Sequence, residues 1–369
     1  MRIGWSALVL LLFAGASFPQ VTTAPGVLTE PLLFRGSCDA SAAVALTDDS
    51  LVVADDENNT LRVYRFVDRA TPSRAFDLSA HLAVEAGHPE ADIEGAARAG
   101  DRIYWITSHG RNKDGKLRPN RYRLFATQLE IQGDDLSLRP VGRPCLTLVQ
   151  TLLTTPLGRK LALDEATRFG ERLSKKERER LAPKKAGLNI EALAASADGN
   201  TLYIGFRNPL LVGPSSKRAI VIPLNNAADV LERSQTPQFG RPLLWDLHDR
   251  GLRSMEYCPR RKAFLLIAGG TDEGGDFALY RWSGDPIEPP TLVQTIHVDL
   301  PSFKPEALVP FATRDDVLIL SDDGSIRVAV TGPSDCIDPV EYDADDRTCE
   351  QKYLRDQSRK TFRAIRLPP

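Results

Sequence analysis

The sequence predicts an all-β fold, a β-propeller of five four-stranded blades, and three observations carry that prediction. A short apolar segment bearing a Glu recurs along the chain. Each copy is followed by a polar turn and a β-rich run, and then by a further run rich in β-branched and aromatic residues. Short strands in one fixed order, with no regular helices between them, are the sequence form of sheets repeated around an axis.

The acidic segments are Asp92-Ile93-Glu94-Gly95-Ala96, Asn189-Ile190-Glu191-Ala192-Leu193, Ser254-Met255-Glu256-Tyr257 and Lys304-Pro305-Glu306-Ala307-Leu308. A fifth copy, Asp39-Ala40-Ser41-Ala42-Ala43, has Ser in place of Glu. The second runs are 50–55, 101–108, 200–206, 262–269 and 316–322. The third are 60–66, 121–129, 218–224 and 277–282, with either 325–330 or 361–367 in the last unit. Fourth runs are expected at Ala75–Leu78, Leu244–Leu247 and His297–Leu300, and at 145–153 in the second unit. The segment 27–34 is expected to pair beside the C-terminal strand, closing the ring and removing an open sheet edge. Six blades are the alternative count, because the spacing stretches between 131 and 187. Residues 164–185, dense in mixed charge and helix formers, read instead as a helical insertion.

With 369 residues, 42% of them hydrophobic, the chain holds ample material for a large core. Its 47 basic against 49 acidic residues give a net charge of -2, which removes the electrostatic reason to expect a nucleic-acid partner. Arg2, the apolar run Trp5–Ala14 and the small residues Ala14-Gly15-Ala16 read as a secretory signal peptide over 1–20. An apolar run of roughly ten residues is short of the ~20 that span a bilayer, and no later segment reads as a span. A single propeller domain over 27–369, soluble in the periplasm or outside the cell, is the expectation. In that oxidising setting Cys336 and Cys349 are the nearest pair, Cys38 with Cys145 is a second expected pair, and Cys258 is left as a buried thiol.

Propeller geometry brings the recurring positions together. Ser41, Glu94, Glu191, Glu256 and Glu306, at the starts of innermost strands, are expected to ring one mouth of the central channel. Four carboxylates in a narrow tunnel cannot all stay ionised without compensation. A ring offering only oxygen ligands suits a hard cation, and Ca²⁺ better than Mg²⁺; a repeated packing device without metal is the other reading. The loops after the second strands share that face. They bring Asp55, Asp56, His109, Arg111, Arg207, Asp272, Asp322 and Asp323 around one funnel. His109, Arg111 and Arg207 are the candidate catalytic residues, His109 for proton transfer and the two guanidinium groups for gripping phosphate or carboxylate. The competing reading makes the arginines structural partners of the funnel's aspartates.

The segments DIEGA, NIEALA and PEALV, with TSHGRNKDGK, GFRNP and SDDG after the second strands, resemble an uncharacterised bacterial family of secreted propellers known as a domain of unknown function. The likeness spans residues 37–367. More distantly the chain is similar to phytase-like esterase propellers, and by architecture it resembles the calcium-activated nucleotidases. That last resemblance implies a central Ca²⁺ held once per blade, but the other nucleotidase motifs are missing from the sequence. Fold alone does not carry an activity. Two functions remain open: a metal-dependent hydrolase of small anionic esters, phosphoesters above all, and a noncatalytic propeller with a structural cation that binds a ligand or partner. No G-x-S-x-G, H-E-x-x-H or Gly-rich phosphate loop points elsewhere.

Overall fold

Each repeat folds into one antiparallel sheet, and in three of the five the runs pair in chain order from the axis outward. The computed structural model describes residues 31–368 apart from 134, 273, 298 and 299. The segment read as a signal peptide, and the first residues of the closing strand, lie outside the described residues. Blade 1 comprises Ala42–Thr47, Ser50–Ala54, Thr60–Arg65 and Arg74–Asp77. Blade 2 comprises Ile93–Ala99, Arg102–Thr107, Leu124–Gln132 and Asp135–Cys145. Blade 3 is built on Asn189–Ala195, Leu202–Asn208 and Lys217–Leu224, with Leu243–Trp245 and Leu211–Val212 both pairing to the third strand. Blade 4 comprises Gly251–Cys258, Ala263–Gly269, Ala278–Trp282 and Thr291–Thr295. Blade 5 joins Pro305–Pro310, Val317–Ser321 and Thr361–Leu367 to Leu32–Arg35 from the other end of the chain.

The ring therefore has five blades. Between them, the apolar faces of neighbouring sheets interlock. Ile106 and Leu124 of blade 2 pack with Leu193, Ile204 and Ile220 of blade 3, for example. The stretch that left room for a sixth blade supplies the last strand of blade 2 and a helical insertion. That insertion comprises Leu148–Thr154, Pro156–Lys160, Leu163–Thr167 and Lys175–Arg180. It begins earlier than the charged segment 164–185 from which it was expected.

Several expected strand positions are corrected. Residues 145–153 are not the fourth strand of blade 2. Leu148, Val149 and Leu152 form a helical face buried on the blade 2 and 3 core, and the hydrogen-bonding edge is already taken by Asp135–Cys145. In blade 4 the outer strand is Thr291–Thr295, and residues 298 and 299 of the expected 297–300 lie outside the described residues. The third strand of blade 5 is Thr361–Leu367, while Arg327–Ala329 pairs with Thr348–Glu350 in a separate ribbon. Cys349 of that ribbon is bonded to Cys336, with Cα atoms 6.4 Å apart. Cys38 and Cys145 are both free, which corrects the second expected pair, and Cys258 is a buried free thiol.

Closure rests on aromatic packing as well as backbone pairing. Phe34 is fully buried, stacked on Phe362 at 4.8 Å and edge-on to Tyr64 at 5.4 Å. Phe34→Ala removes the ring that binds the latch strand to blades 1 and 5. It should cost about 3–5 kcal/mol, the range for a fully buried Phe, read as a lower urea midpoint at unchanged slope.

Candidate functional site

The inner strands run side by side around the axis, and each of four carries a one-residue register slip near its start. Ile93 pairs with Thr107 and Gly95 with Ile106, so Glu94 is skipped. Glu191 is skipped between Ile190 and Ala192, Arg253 between Leu252 and Ser254, and Glu306 between Pro305 and Ala307. Ser41 stands just before the first pair of blade 1, Ala42 with Ala54. The residue skipped in this way is re-aimed out of the ladder, and all five line one cavity of about 1050 Å³.

The ring is therefore Ser41, Glu94, Glu191, Arg253 and Glu306, not Ser41 with four glutamates. Glu256, the residue expected from blade 4, lies three positions further along its strand, paired with Leu265. It faces a small second cavity below the ring, among Ser254, Ala43 and Leu193. Burial pushes its carboxyl well above the usual carboxylate range.

Arg253 answers the charge problem that a ring of carboxylates poses. Its guanidinium donates to Glu191 Oε2 at 2.9 Å and to Glu306 Oε1 at 2.5 Å. Arg207 donates to Glu191 Oε1 at 2.8 Å and also reaches the Asp272 carbonyl. Burial alone would raise the Glu191 carboxyl, but Arg207 and Arg253 outweigh it and hold it below its ordinary value. Glu306 has Arg253 as its partner, and burial lifts it to about 8.

The opposite wall, from blades 1, 2 and 5, is acidic. Asp39, Asp56, Glu57, Glu90, Asp92, Glu94 and Asp322 line the same cavity. Burial, then Asp39, Glu57 and Glu94, push Asp56 well above the carboxylate range. Burial and the neighbouring Asp92, Glu191 and Glu306 do the same to Glu94. Asp39 is raised by burial and by Asp322, whereas Asp322 is held down, against its own burial, by the hydrogen bond from Asp39 and by Lys304. Gly324 is needed here because a Cβ would fall 1.7 Å from Asp39 Oδ1. Asp92 and Glu90 are both tied to Arg121. Ligand oxygens of Asp56, Asp92 and Glu94 lie within 4.8 Å of one another, as do those of Asp39, Asp55 and Asp56. Asp56 Oδ1 is sealed from solvent and has no hydrogen-bond donor among the described residues.

Of the expected catalytic residues, only Arg207 lines the funnel, and it is engaged by Glu191. His109 is fully buried outside the lining, its Nδ1 2.8 Å from the Thr107 carbonyl, and burial pushes it down to about 4. Arg111 donates to the Thr167 carbonyl at 2.8 Å and to the Gly115 carbonyl at 3.2 Å, fastening the insertion to the loop of blade 2. Neither is placed to touch a ligand in the funnel, which corrects the roles expected for them. Sequence reasoning missed Arg253. A signal for it was present, since every ring residue is followed by a small one: Ala42, Gly95, Ala192, Ser254 and Ala307. The reason is crowding between inner strands, for a Cβ on Gly95 would come 3.1 Å from Leu193.

Arg253→Met leaves Glu306 without its partner and Glu191 with one. Breaking a buried pair on one side costs about 3–5 kcal/mol, and Arg253→Met with Glu306→Gln should recover part of that loss in a denaturant melt. His109 gives a pH signature. Its folded value of about 4 lies below its unfolded value, so as pH falls from about 6.5 to 4 the unfolded chain takes up the proton first. Stability should therefore drop by about 3 kcal/mol across that window. His109→Asn, which tolerates the positive φ of this position, should flatten the drop.

Comparison with known proteins gives faint structural likeness. Glutaminyl cyclase from Myxococcus xanthus is 11% identical with a TM-score of 0.42, covering 79% of this chain and 90% of its own. An oxidoreductase from Thermus thermophilus, assigned as a glucose dehydrogenase, is 13% identical with a TM-score of 0.39, covering 91% of this chain and 100% of its own. At these values neither protein's activity bears on this one. No curated protein matches the sequence. A family model does, over residues 39–130 and 147–316, well over half of the chain and parts of all five blades. The chain belongs to the family described as Protein of unknown function (DUF3616).

Proposed function

We propose that the chain is a cation-dependent binding propeller whose funnel takes one hard divalent cation, Ca²⁺, on the acidic wall and a small anionic ligand of the phosphoester class beside it. The observation that carries this reading is Asp56. Its Oδ1 is closed to water and lacks a donor among the described residues, and one of its carboxylate oxygens lies within 4.8 Å of those of Asp92 and Glu94, and one within 4.8 Å of those of Asp39 and Asp55. Such an oxygen needs a proton or a cation, and an all-oxygen donor set favours a hard cation of flexible coordination. The proposed site is off the axis. Of the residues first expected to hold Ca²⁺, Glu94 remains a ligand, while Glu191 and Glu306 are neutralised by arginine and Glu256 lies below.

For the anion, Lys113 and Arg118 from the blade 2 loop and Lys185 from the insertion line the cavity without a carboxylate partner among the described residues. A cation on the acidic wall would supply polarisation of a phosphoryl oxygen. Glu90 favours a second reading, hydrolysis of that phosphoester. It lines the funnel beside Asp92, and burial with Asp92 raises its carboxyl to about 7 despite Arg121, a value suited to a general base at neutral pH. Export is part of the proposal, and the Cys336–Cys349 disulfide is at home in an oxidising compartment. Among the described residues no helix is long and apolar enough to cross a membrane.

The test is the metal content of purified protein, with thermal melts after chelation and after Ca²⁺ or Mg²⁺ is restored. A cation at a hundredfold excess over Kd stabilises the folded state by about 2.7 kcal/mol. Ca²⁺ should raise the melt of wild type and have little effect on Asp56→Asn or Glu94→Gln. A melt indifferent to either cation, with no metal found, defeats the reading. Turnover of phosphoesters, carboxylic esters and lactones by Ca²⁺-loaded protein then separates hydrolase from binder, with Glu90→Gln expected to abolish any turnover found.

A further inference from the structure

One part of the funnel is neither acidic nor basic. Phe277, Leu300 and Phe303 line it from blade 4 and from the segment entering blade 5. Phe277 and Phe303 belong to one apolar cluster between those two blades, with Leu300 packed against it. Blade 4 stands across the ring from blades 1 and 2, so this apolar shelf faces the acidic wall over the cavity. The rings are held in place. Phe277 has the Arg253 guanidinium 5.6 Å from its centroid, and the ring is pressed on Gly269, where a Cβ would come within 2.8 Å. Phe303 is capped by Arg363 at 5.6 Å.

Phe277 and Phe303 are 7% and 8% exposed, so a small part of each ring, with the half-buried Leu300, meets the cavity. Concave sites that mix an apolar wall with a few convergent polar groups are the usual form of a small-molecule pocket. At about 1050 Å³ the cavity is also far larger than a phosphate and a cation require. We infer that the ligand is an anion carrying an aromatic group, an aryl phosphoester or its equivalent, whose charged end meets the cation and the lysine-rich rim while its ring lies on Phe277, Leu300 and Phe303. This rests on the cation-and-anion reading of the funnel and adds the chemical class of the rest of the ligand.

Two phosphonates that resist hydrolysis and differ only in the phenyl ring test the shelf. Methylphosphonate and phenylphosphonate are titrated calorimetrically into the Ca²⁺-loaded full chain, wild type and two variants. The expected result is phenylphosphonate binding at least tenfold tighter than methylphosphonate, the gain from burying a ring of that size. Phe303→Leu, which keeps apolar volume and fold but removes the ring, should reduce that ratio severalfold, and Leu300→Asn, at a half-buried position, should do so independently. Equal affinities in wild type overturn the aromatic assignment while methylphosphonate binding itself upholds the anion site. An advantage that persists undiminished in both variants also overturns it, since the ring then lies elsewhere. Binding of neither phosphonate overturns the anion reading and this inference with it.

Discussion

The arrangement of this propeller turns on one buried guanidinium. Five inner strands converge on an axis, and the residue that four of them release from the ladder, with Ser41 at the start of the fifth, comes to the same small volume whatever its charge. Three of those residues are glutamates, and a buried carboxylate stays ionised at low cost only when it is paired. Arg253 spans Glu191 and Glu306, and Arg207 shares Glu191. Blades 3, 4 and 5 are thereby tied through side chains at their narrowest point. Where no charge is available, hydroxyls take over. Ser41 Oγ donates to the Ile93 carbonyl of the next blade at 2.6 Å, and Ser254 Oγ accepts from Leu308 N at 3.0 Å.

The same network makes the funnel lopsided. Its positive charge is spent on blades 3 to 5, leaving Glu94 and Asp56 on the far side with no ion pair among the described residues. Arg121 compensates Asp92 and Glu90, and Lys352 meets Glu57 at 3.4 Å. The acidic wall is thus partly balanced at its rim and unbalanced at its floor. An electrostatic gradient of this kind within one cavity suits a ligand or ion pair of mixed polarity far better than a uniform ring of carboxylates would.

Blade number and strand order were legible because each sheet repeats one local pattern, and the pattern survives even where Ser41 replaces Glu. The outer strands were harder to read. Residues 145–153 look like a strand by composition, yet Leu148, Val149 and Leu152 serve a helical face, and nothing local distinguishes the two periods over so short a run. At the ring, matching by residue type chose Glu256 over Arg253. The position is set by backbone register, and register shows in the small residue that follows, not in the charge. His109 and Arg111 illustrate the converse. Their residue types suggest chemistry, but contacts with the Thr107 carbonyl and with the distant insertion give them structural work that no local sequence announces.

The latch strand Leu32–Arg35 pairs residue for residue with Thr361–Ala364, so the sheet that completes the circle draws on both ends of the described chain. During biosynthesis the first four sheets can assemble while the fifth still lacks its third strand. Until Thr361–Leu367 leaves the ribosome, Phe34 has no Phe362 to stack on and Val317–Ser321 shows a bare edge. A nascent or truncated chain is therefore an open arc with a sticky end. Only a chain that extends through Thr361–Leu367 covers that edge of Val317–Ser321.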